Sequence, residues 1–219
     1  MQTKTNAVIK RVVDALLTVL LLFLTAYQVT GDKIHEWLGI GMTIILIIHH
    51  ILNHKWYGAV FKGRYTPFRI TMTSVNTLLL ISIVMTALSG MAMSSHAVPF
   101  MYGFISVMTA RKLHLALSYW SFILIGVHIG LHIKPMTAGL NKNGLLIFRI
   151  IFSAVSAIGF VLFLKSGIIN YIFFRTHFAF LDYTKAKWLV ILENLAMLIF
   201  WVFMGSALSL FTQKTAENK

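Results

Sequence analysis

The sequence predicts an all-α polytopic membrane protein, built as a single domain over residues 1–219. Apolar residues make up 58% of the chain and charged residues 11%, and that charged fraction is about half of what soluble domains carry. Six apolar stretches are long enough to cross a hydrocarbon core, which takes ~20 helical residues. They do not alternate apolar and polar residues as barrel strands do. The high apolar fraction and low charged fraction exclude a soluble globular protein and a disordered one.

We expect the six transmembrane helices at 11–30, 34–54, 70–93, 112–133, 146–165 and 187–211. The first is expected to be a retained helix, since its apolar core runs through Tyr27 and no small-residue cleavage site precedes Gly31. The connections 96–110 and 168–184 are aromatic and apolar, as in segments that lie at a membrane interface. They either roof the outer end of the bundle or form lipid-facing loops.

The net charge of +13 does not indicate a nucleic-acid partner. The nineteen Lys and Arg residues lie mostly between the apolar runs, where membrane topology places cations. With six transmembrane helices, more of the Lys and Arg residues lie on the side of the membrane that holds both termini. This bias predicts a multi-pass membrane protein with both termini in the cytoplasm.

Cysteine is absent, which excludes disulfides, iron–sulfur clusters, thiolate-ligated haem and covalently attached c-type haem. Nine His and eleven Met residues remain as candidate metal ligands.

Histidines recur at one spacing in the second and fourth predicted helices. His35 and His49 are fourteen residues apart, and so are His114 and His128. Four helical turns take about 14.4 residues, so each pair faces one side of its helix, with a rise of roughly 21 Å. The two helices are separated by one crossing and run parallel. We therefore expect His35 level with His114, and His49 level with His128.

Flanking lysines repeat the same register. Lys33 and Lys112 each precede the first histidine by two residues, and Lys55 and Lys134 each follow the second by six. Two facing imidazoles at each of two levels suit haem iron, which takes axial histidine. The sequence thus predicts two b-type haems, the outer one held by His35 and His114 and the inner one by His49 and His128. The alternative is that single membrane histidines satisfy backbone carbonyls or line a polar cavity.

Further candidates are less well determined by the pattern. His50 remains an alternative inner ligand, and His54 and His132 lie near the cytoplasmic helix ends. Cations expected near the propionates are Lys33, Arg111 and Lys112 at the outer haem and Lys55, Arg69 and Lys134 at the inner one. Topology alone also explains these cations. Weaker candidates are Asp14 (paired with Lys10 or Arg11), Glu193 (a proton or quinol site), His96, His177, and Gly39, Gly126 and Gly130 (room for a flat ring, or helix packing).

Three stretches resemble the flavinylation-associated cytochrome family, small bacterial integral membrane proteins: IHEWLGIGMTIILIIHHILNHKW, ARKLHLALSYWSFILIGVHIGLHI and FRTHFAFLDYTKAKWLVILENLAMLIFW. The H-x-x-x-N pattern of that family fits His49 and Asn53, which favours His49 over His50. Its H-x-G-x-H pattern corresponds to His128 through His132, and its F-x-F-x-D pattern to 178–182. The resemblance covers roughly residues 8–210.

The resemblance implies an electron-transfer cytochrome, a component of an oxidoreductase system rather than a stand-alone enzyme. Electrons would pass from quinol, or from an inner reductase, to extracytoplasmic flavoproteins. The implied cofactors are two haem b groups and a quinone, and the partners are membrane lipid and a redox protein. Two other functions remain open: a transition-metal transporter with a histidine-lined path, and a non-catalytic membrane anchor subunit.

Overall fold

The computed structural model describes residues 2–176 and 178–217, and this part of the chain is helical without any strand. The predicted all-α class is thereby confirmed. The helices are α1 (Gln2–Thr25), α2 (Tyr27–Leu52), α3 (Lys55–Val60), α4 (Pro67–Met91), α5 (Val107–Leu131), α6 (Ile133–Thr137), α7 (Lys142–Lys165), α8 (Ile168–Ile172) and α9 (Lys187–Glu217). One turn of 3₁₀ helix, Pro99–Met101, lies between α4 and α5.

Five of these helices, α2, α4, α5, α7 and α9, are long and apolar enough to cross a membrane. This is the composition of a multi-pass membrane protein. Helix α1 is not among the five, because Lys10, Arg11 and Asp14 interrupt it and its apolar part stops at Thr25. The chain reverses between Ala26 and Gly31, whose φ of 66° is a conformation that favours glycine. The expected first helix over 11–30 therefore starts and ends earlier than predicted.

Capping residues explain why other helices start earlier than the apolar runs predict. The Thr66 hydroxyl accepts a hydrogen bond from the Arg69 backbone N–H, so α4 begins at Pro67 rather than at 70. Proline is favoured at a first helical position, where its missing N–H has no partner to lose. Asn141 caps α7 in the same way, accepting from the Gly144 N–H at 2.7 Å. Polar caps lie outside the apolar run, so hydropathy alone does not find them.

Hydrogen bonds between helices fix their relative directions. Lys10 near the start of α1 binds Asn53 just past α2, so α1 and α2 are antiparallel. Helices α4 and α5 are also antiparallel, because their hydrogen-bonded residues rise in number along one helix as they fall along the other. The pairs are Thr86 with His114, Ser82 with Ser121 and Asn76 with His128. Glu36 of α2 binds the segment after α4, so these two helices are also antiparallel. Helices α2 and α5 consequently run parallel, with His35 and His114 toward one end.

Glycines bring α5 and α9 into close contact. A Cβ on Gly130 would lie 2.2 Å from the Val202 carbonyl oxygen, and one on Gly126 would lie 2.5 Å from the Trp201 Cβ. Both positions are therefore helix-packing sites, as small residues in membrane interfaces commonly are. Around this contact lie buried apolar side chains of α5, α8 and α9: Phe122, Ile123, Leu131, Ile168, Tyr171, Met197, Leu198 and Val202.

Helix α2 stands apart from this core. It packs mainly on α1, and none of its residues is buried. An apolar groove of about 570 Å³ separates it from α4. Gly39, one turn beyond His35, has no atom within 4 Å of a Cβ built on it. The side of α2 that carries the histidines thus has open space beside it, whereas the opposite helices are tightly packed.

Candidate functional site

The N-terminal ends of α2 and α5, which we call the outer ends, bring His35 and His114 together. Their ring centroids are 6.0 Å apart and the rings are inclined at 78°. The Nδ1 of His114 lies 2.9 Å from the Thr86 carbonyl oxygen of α4. Gly90 leaves room for this ring, because a Cβ there would be 3.0 Å from the His114 Cε1.

The separation of these rings suits a shared metal ion. Two imidazoles on one metal have centroids roughly 6 Å apart, because each metal–nitrogen bond is about 2.0 Å. The Nδ1 of His35 is buried and makes no hydrogen bond of good geometry among the described residues, although the Leu24 backbone lies within reach of the ring. A poorly paired buried imidazole is costly, so the His35 ring is a candidate ligand.

Glu36, the residue after His35, ties α2 to the connection between α4 and α5. Its carboxylate accepts hydrogen bonds from the Ser94 hydroxyl at 2.7 Å and from the backbone N–H groups of Ser95, His96 and Ala97 at 3.1, 2.8 and 2.9 Å. Hydrogen bonds to a carboxylate are about twice as strong as neutral ones. Since α2 otherwise packs little on α4 or α5, this contact fixes the outer end of α2 beside His114.

The inner pair, His49 and His128, is arranged differently. The Nδ1 of His49 lies 2.8 Å from a carboxylate oxygen of Asp14 on α1. The Nδ1 of His128 lies 2.8 Å from the Asn76 Oδ1 on α4.

Three of the four histidines thus direct Nδ1 at an oxygen that can only accept. Carbonyl, carboxylate and amide oxygens place the proton on Nδ1, which leaves the lone pair on Nε2. This is the arrangement in which metal-binding histidines are held, with the second nitrogen donating to an acceptor that orients the ring. The geometry therefore gives His49, His114 and His128 a free Nε2 for a ligand.

Three of the remaining candidate histidines, His50, His54 and His132, lie at the same end of the bundle as the inner pair. The ring centroids of His50 and His49 are 5.5 Å apart. His50 also lines the apolar groove between α2 and α4, and its Nδ1 lies 2.9 Å from the Tyr57 hydroxyl oxygen. His54 is exposed, with Nδ1 2.9 Å from the Ile51 carbonyl oxygen. His132 packs on His128, with ring centroids 5.0 Å apart. His96 is exposed in the outer connection, and His177 lies outside the described residues.

The cations have separate roles in the described structure. Arg111 lines a cavity of about 500 Å³ at the outer end, and its guanidinium lies 5.4 Å from the centre of the Phe178 ring. Neither Lys33 nor Lys112 forms an ion pair with any described residue. At the inner end, Arg69 donates to the carbonyls of Ala59, Lys62 and Arg64, and Lys134 donates to the Gln213 side chain. Arg69 thus holds the connection between α3 and α4, and Lys134 joins α6 to α9.

The segment after α7 covers part of the outer end. Tyr171 of α8 stacks on Tyr119 of α5, with centroids 5.2 Å apart, and the Trp120 indole donates to the Ile172 carbonyl at 3.2 Å. Gln28 exchanges two hydrogen bonds with the backbone of Asp182, both at 3.2 Å. The hydroxyl and backbone N–H of Thr184 lower the pKa of the exposed Asp182 carboxyl below its usual value.

Two acids have partners other than those considered from the sequence. Asp14 binds His49, and Lys10 donates to Asn53 at 2.9 Å. Neither Lys10 nor Arg11 forms an ion pair with Asp14 among the described residues, so the predicted local pairing was wrong. Glu193 binds Lys185, with nitrogen–oxygen distances of 2.8 and 2.9 Å.

Sequence reasoning missed Glu36 and Asn76 as contributors to this site. Asn76 carried a signal, being the sole Asn or Gln in α4, because a polar side chain in a membrane helix usually has a specific partner. Glu36 adjoins a candidate ligand, but its partners are backbone groups of a distant loop, which no side-chain pattern reveals.

Within residues 2–176 and 178–217, no group of three or more His, Asp or Glu side chains is placed to hold a metal ion. The candidate ligands occur as pairs, and two axial ligands are what haem iron takes from a protein. Comparison of this chain with protein-family models, with curated proteins and with solved structures finds no match.

Proposed function

We propose that this protein is a membrane cytochrome that carries electrons across the bilayer through two bis-histidine b-type haems. His35 and His114 hold the outer haem, and His49 and His128 hold the inner one. Haem iron with two axial histidines supplies one-electron transfer and has no open position for a substrate. The protein is thus the electron-transfer component of an oxidoreductase system.

The observation that carries this proposal is the outer pair on parallel helices. Rings 6.0 Å apart, one with a poorly paired buried nitrogen and the other with Nδ1 on a carbonyl, fit two ligands of one metal. The same design recurs fourteen residues along both helices, where Asp14 and Asn76 orient His49 and His128. The weak packing of α2 on α4 and α5 leaves room for a planar group between them.

The protein's residues bind, orient and shield the group. Thr86, Asp14 and Asn76 fix three rings by their Nδ1 atoms, which raises ligand basicity. Glu36 holds α2 in place at the outer level. Arg111, Lys33 and Lys112 lie at the outer end, where cations pair with the carboxylates of a bound group.

The direction and partners follow from the resemblance to flavinylation-associated cytochromes. Quinol in the bilayer, or a reductase at the inner face, donates electrons, and an extracytoplasmic flavoprotein accepts them. Helix α1 is the sixth span in this proposal, which places both termini in the cytoplasm of a bacterial-type inner membrane. The cation bias of the connections supports that orientation.

Haem content tests the proposal directly. The protein, purified in detergent from cells that supply haem, is expected to hold about two b-type haems per chain by pyridine haemochrome. The reduced spectrum should be low-spin and six-coordinate. His35→Ala and His128→Ala should each lower the content or convert one haem to a high-spin form, because each removes one axial bond.

His96→Ala is the matched control, because His96 is exposed and lies in a connection rather than a helix. It should retain both haems. A chain without haem would refute the cytochrome and favour metal transport, which bound zinc or copper would then indicate. Haem retained at the wild-type content in both His35→Ala and His128→Ala would mean that these histidines are dispensable, as expected of an anchor subunit.

A further inference from the structure

The two histidine pairs differ in what their Nδ1 atoms contact. In the outer pair, His114 bonds a neutral backbone carbonyl, and His35 has no side-chain acceptor for its Nδ1 among the described residues, with the Leu24 backbone beside its ring. In the inner pair, His49 bonds the carboxylate of Asp14 and His128 bonds the amide oxygen of Asn76. The inner pair therefore has two side-chain acceptors, one of them an acid.

The acceptor on a ligating histidine affects the metal. A carboxylate that accepts a hydrogen bond from the Nδ1–H group increases the electron donation of the imidazole to the metal. Stronger donation and a nearby negative charge both favour the oxidised metal, so the reduction potential falls. A ligand whose acceptor is neutral donates less, and its metal is easier to reduce.

Other charged side chains near each level also affect the reduction potential there. Glu36 is next to His35, but its carboxylate is directed at one hydroxyl and three backbone N–H groups rather than at a histidine. Lys33, Arg111 and Lys112 lie toward the same outer end and favour the reduced metal there. At the inner level Lys10 has a fixed contact, and it binds Asn53 rather than Asp14.

We infer that Asp14 tunes the inner haem, making it the one with the lower reduction potential. This inference rests on the proposed function. Haems held by the two pairs would supply one-electron transfer, and Asp14 would make transfer from the inner pair to the outer pair favourable without the movement of a proton. The gradient built into the ligand contacts thus favours flow from a reductant on the cytoplasmic side toward the outer face.

A potentiometric titration of the purified protein, followed by visible absorption, tests this. The wild-type protein should show two midpoints. His114→Ala should alter or remove the higher one, which assigns it to the outer level. Asp14→Asn keeps the size of the side chain and an acceptor oxygen but removes the charge, so it should raise the lower midpoint and leave the higher one nearly unchanged.

Asp182→Asn is the matched control, since Asp182 is an exposed acid at the outer end with no histidine contact. It should leave both midpoints unchanged. Asn76→Leu gives an independent check, because loss of the His128 acceptor should raise the same lower midpoint. A low-spin spectrum in each variant shows that the ligands remain, so a shift in potential is not a loss of structure.

The inference is overturned if Asp14→Asn shifts the higher midpoint, or shifts neither, while two haems remain bound. It is equally overturned if His114→Ala affects the lower midpoint. Those outcomes leave the cytochrome proposal standing, since both haems are present. A protein without haem, or one that keeps its haem when the ligand histidines are replaced, removes the proposed function itself.

Discussion

Gly130→Ala should separate α5 from α9 and destabilise the protein. The added Cβ would lie 2.2 Å from the Val202 carbonyl oxygen, 2.7 Å from the Ser206 nitrogen and 2.8 Å from the Gly205 Cα, against an ordinary contact of 3.4 Å or more. All three are backbone atoms, so no side chain can rotate away and the helices must part by roughly 1 Å. Such a gap removes about a quarter to a half of each dispersion contact across it. Overpacking of this kind costs about 1–3 kcal/mol, and we expect the upper end.

Unfolding in mixed micelles of a mild detergent with increasing dodecyl sulfate measures this cost by circular dichroism. The matched control is Gly41→Ala in α2, where a Cβ has no atom within 4 Å. That variant should be unchanged or more stable by about 0.5–1 kcal/mol, because alanine is the better helix former. If Gly130→Ala unfolds at the wild-type detergent fraction, the close α5–α9 contact and the reasoning from it are wrong.

Two further predictions concern the outer contact and the topology. Glu36→Gln leaves one acceptor oxygen for four donors and should lower stability by about 2 kcal/mol in the same micelle assay, whereas Asp182→Asn should have no effect. Reporter fusions should give fluorescent green fluorescent protein at either terminus and active alkaline phosphatase in the connection near Asp182. A phosphatase active at the N-terminus, with a fluorescent C-terminus, would mean that α1 does not span the membrane.

The sequence predicted the helical class and the face that carries the histidines, because both follow from periodicity. A spacing of fourteen residues positions two side chains on one helix face whatever surrounds the helix. The six apolar runs all correspond to helices, although their ends differ by several residues. Helix ends depend on single caps such as Thr66 and Asn141, and on the reversal at Gly31, which hydropathy averages away.

The polar partners of the histidines were harder to predict, because each lies on another helix. Asp14 is 35 residues before His49, and Asn76 is 52 residues before His128. Their contacts depend on how α1 and α4 pack, which periodicity within one helix does not determine. The partner of His114 is a backbone carbonyl, which every residue has, so no choice of side chain at Thr86 marks it.

The arrangement of the helices explains how one loosely packed helix can hold half of the candidate ligands. Helix α2 has no buried residue, yet contacts near both ends restrict it: Glu36 with the connection after α4, and His49 and Asn53 with Asp14 and Lys10 of α1. Between these ends it makes few contacts with α4 and α5. Polar contacts at the two ends hold the helix in position without filling the space beside it, whereas continuous apolar packing would fill that space. A planar group bound between α2 and α5 would then supply the packing that this helix lacks, so binding and folding of α2 should be coupled.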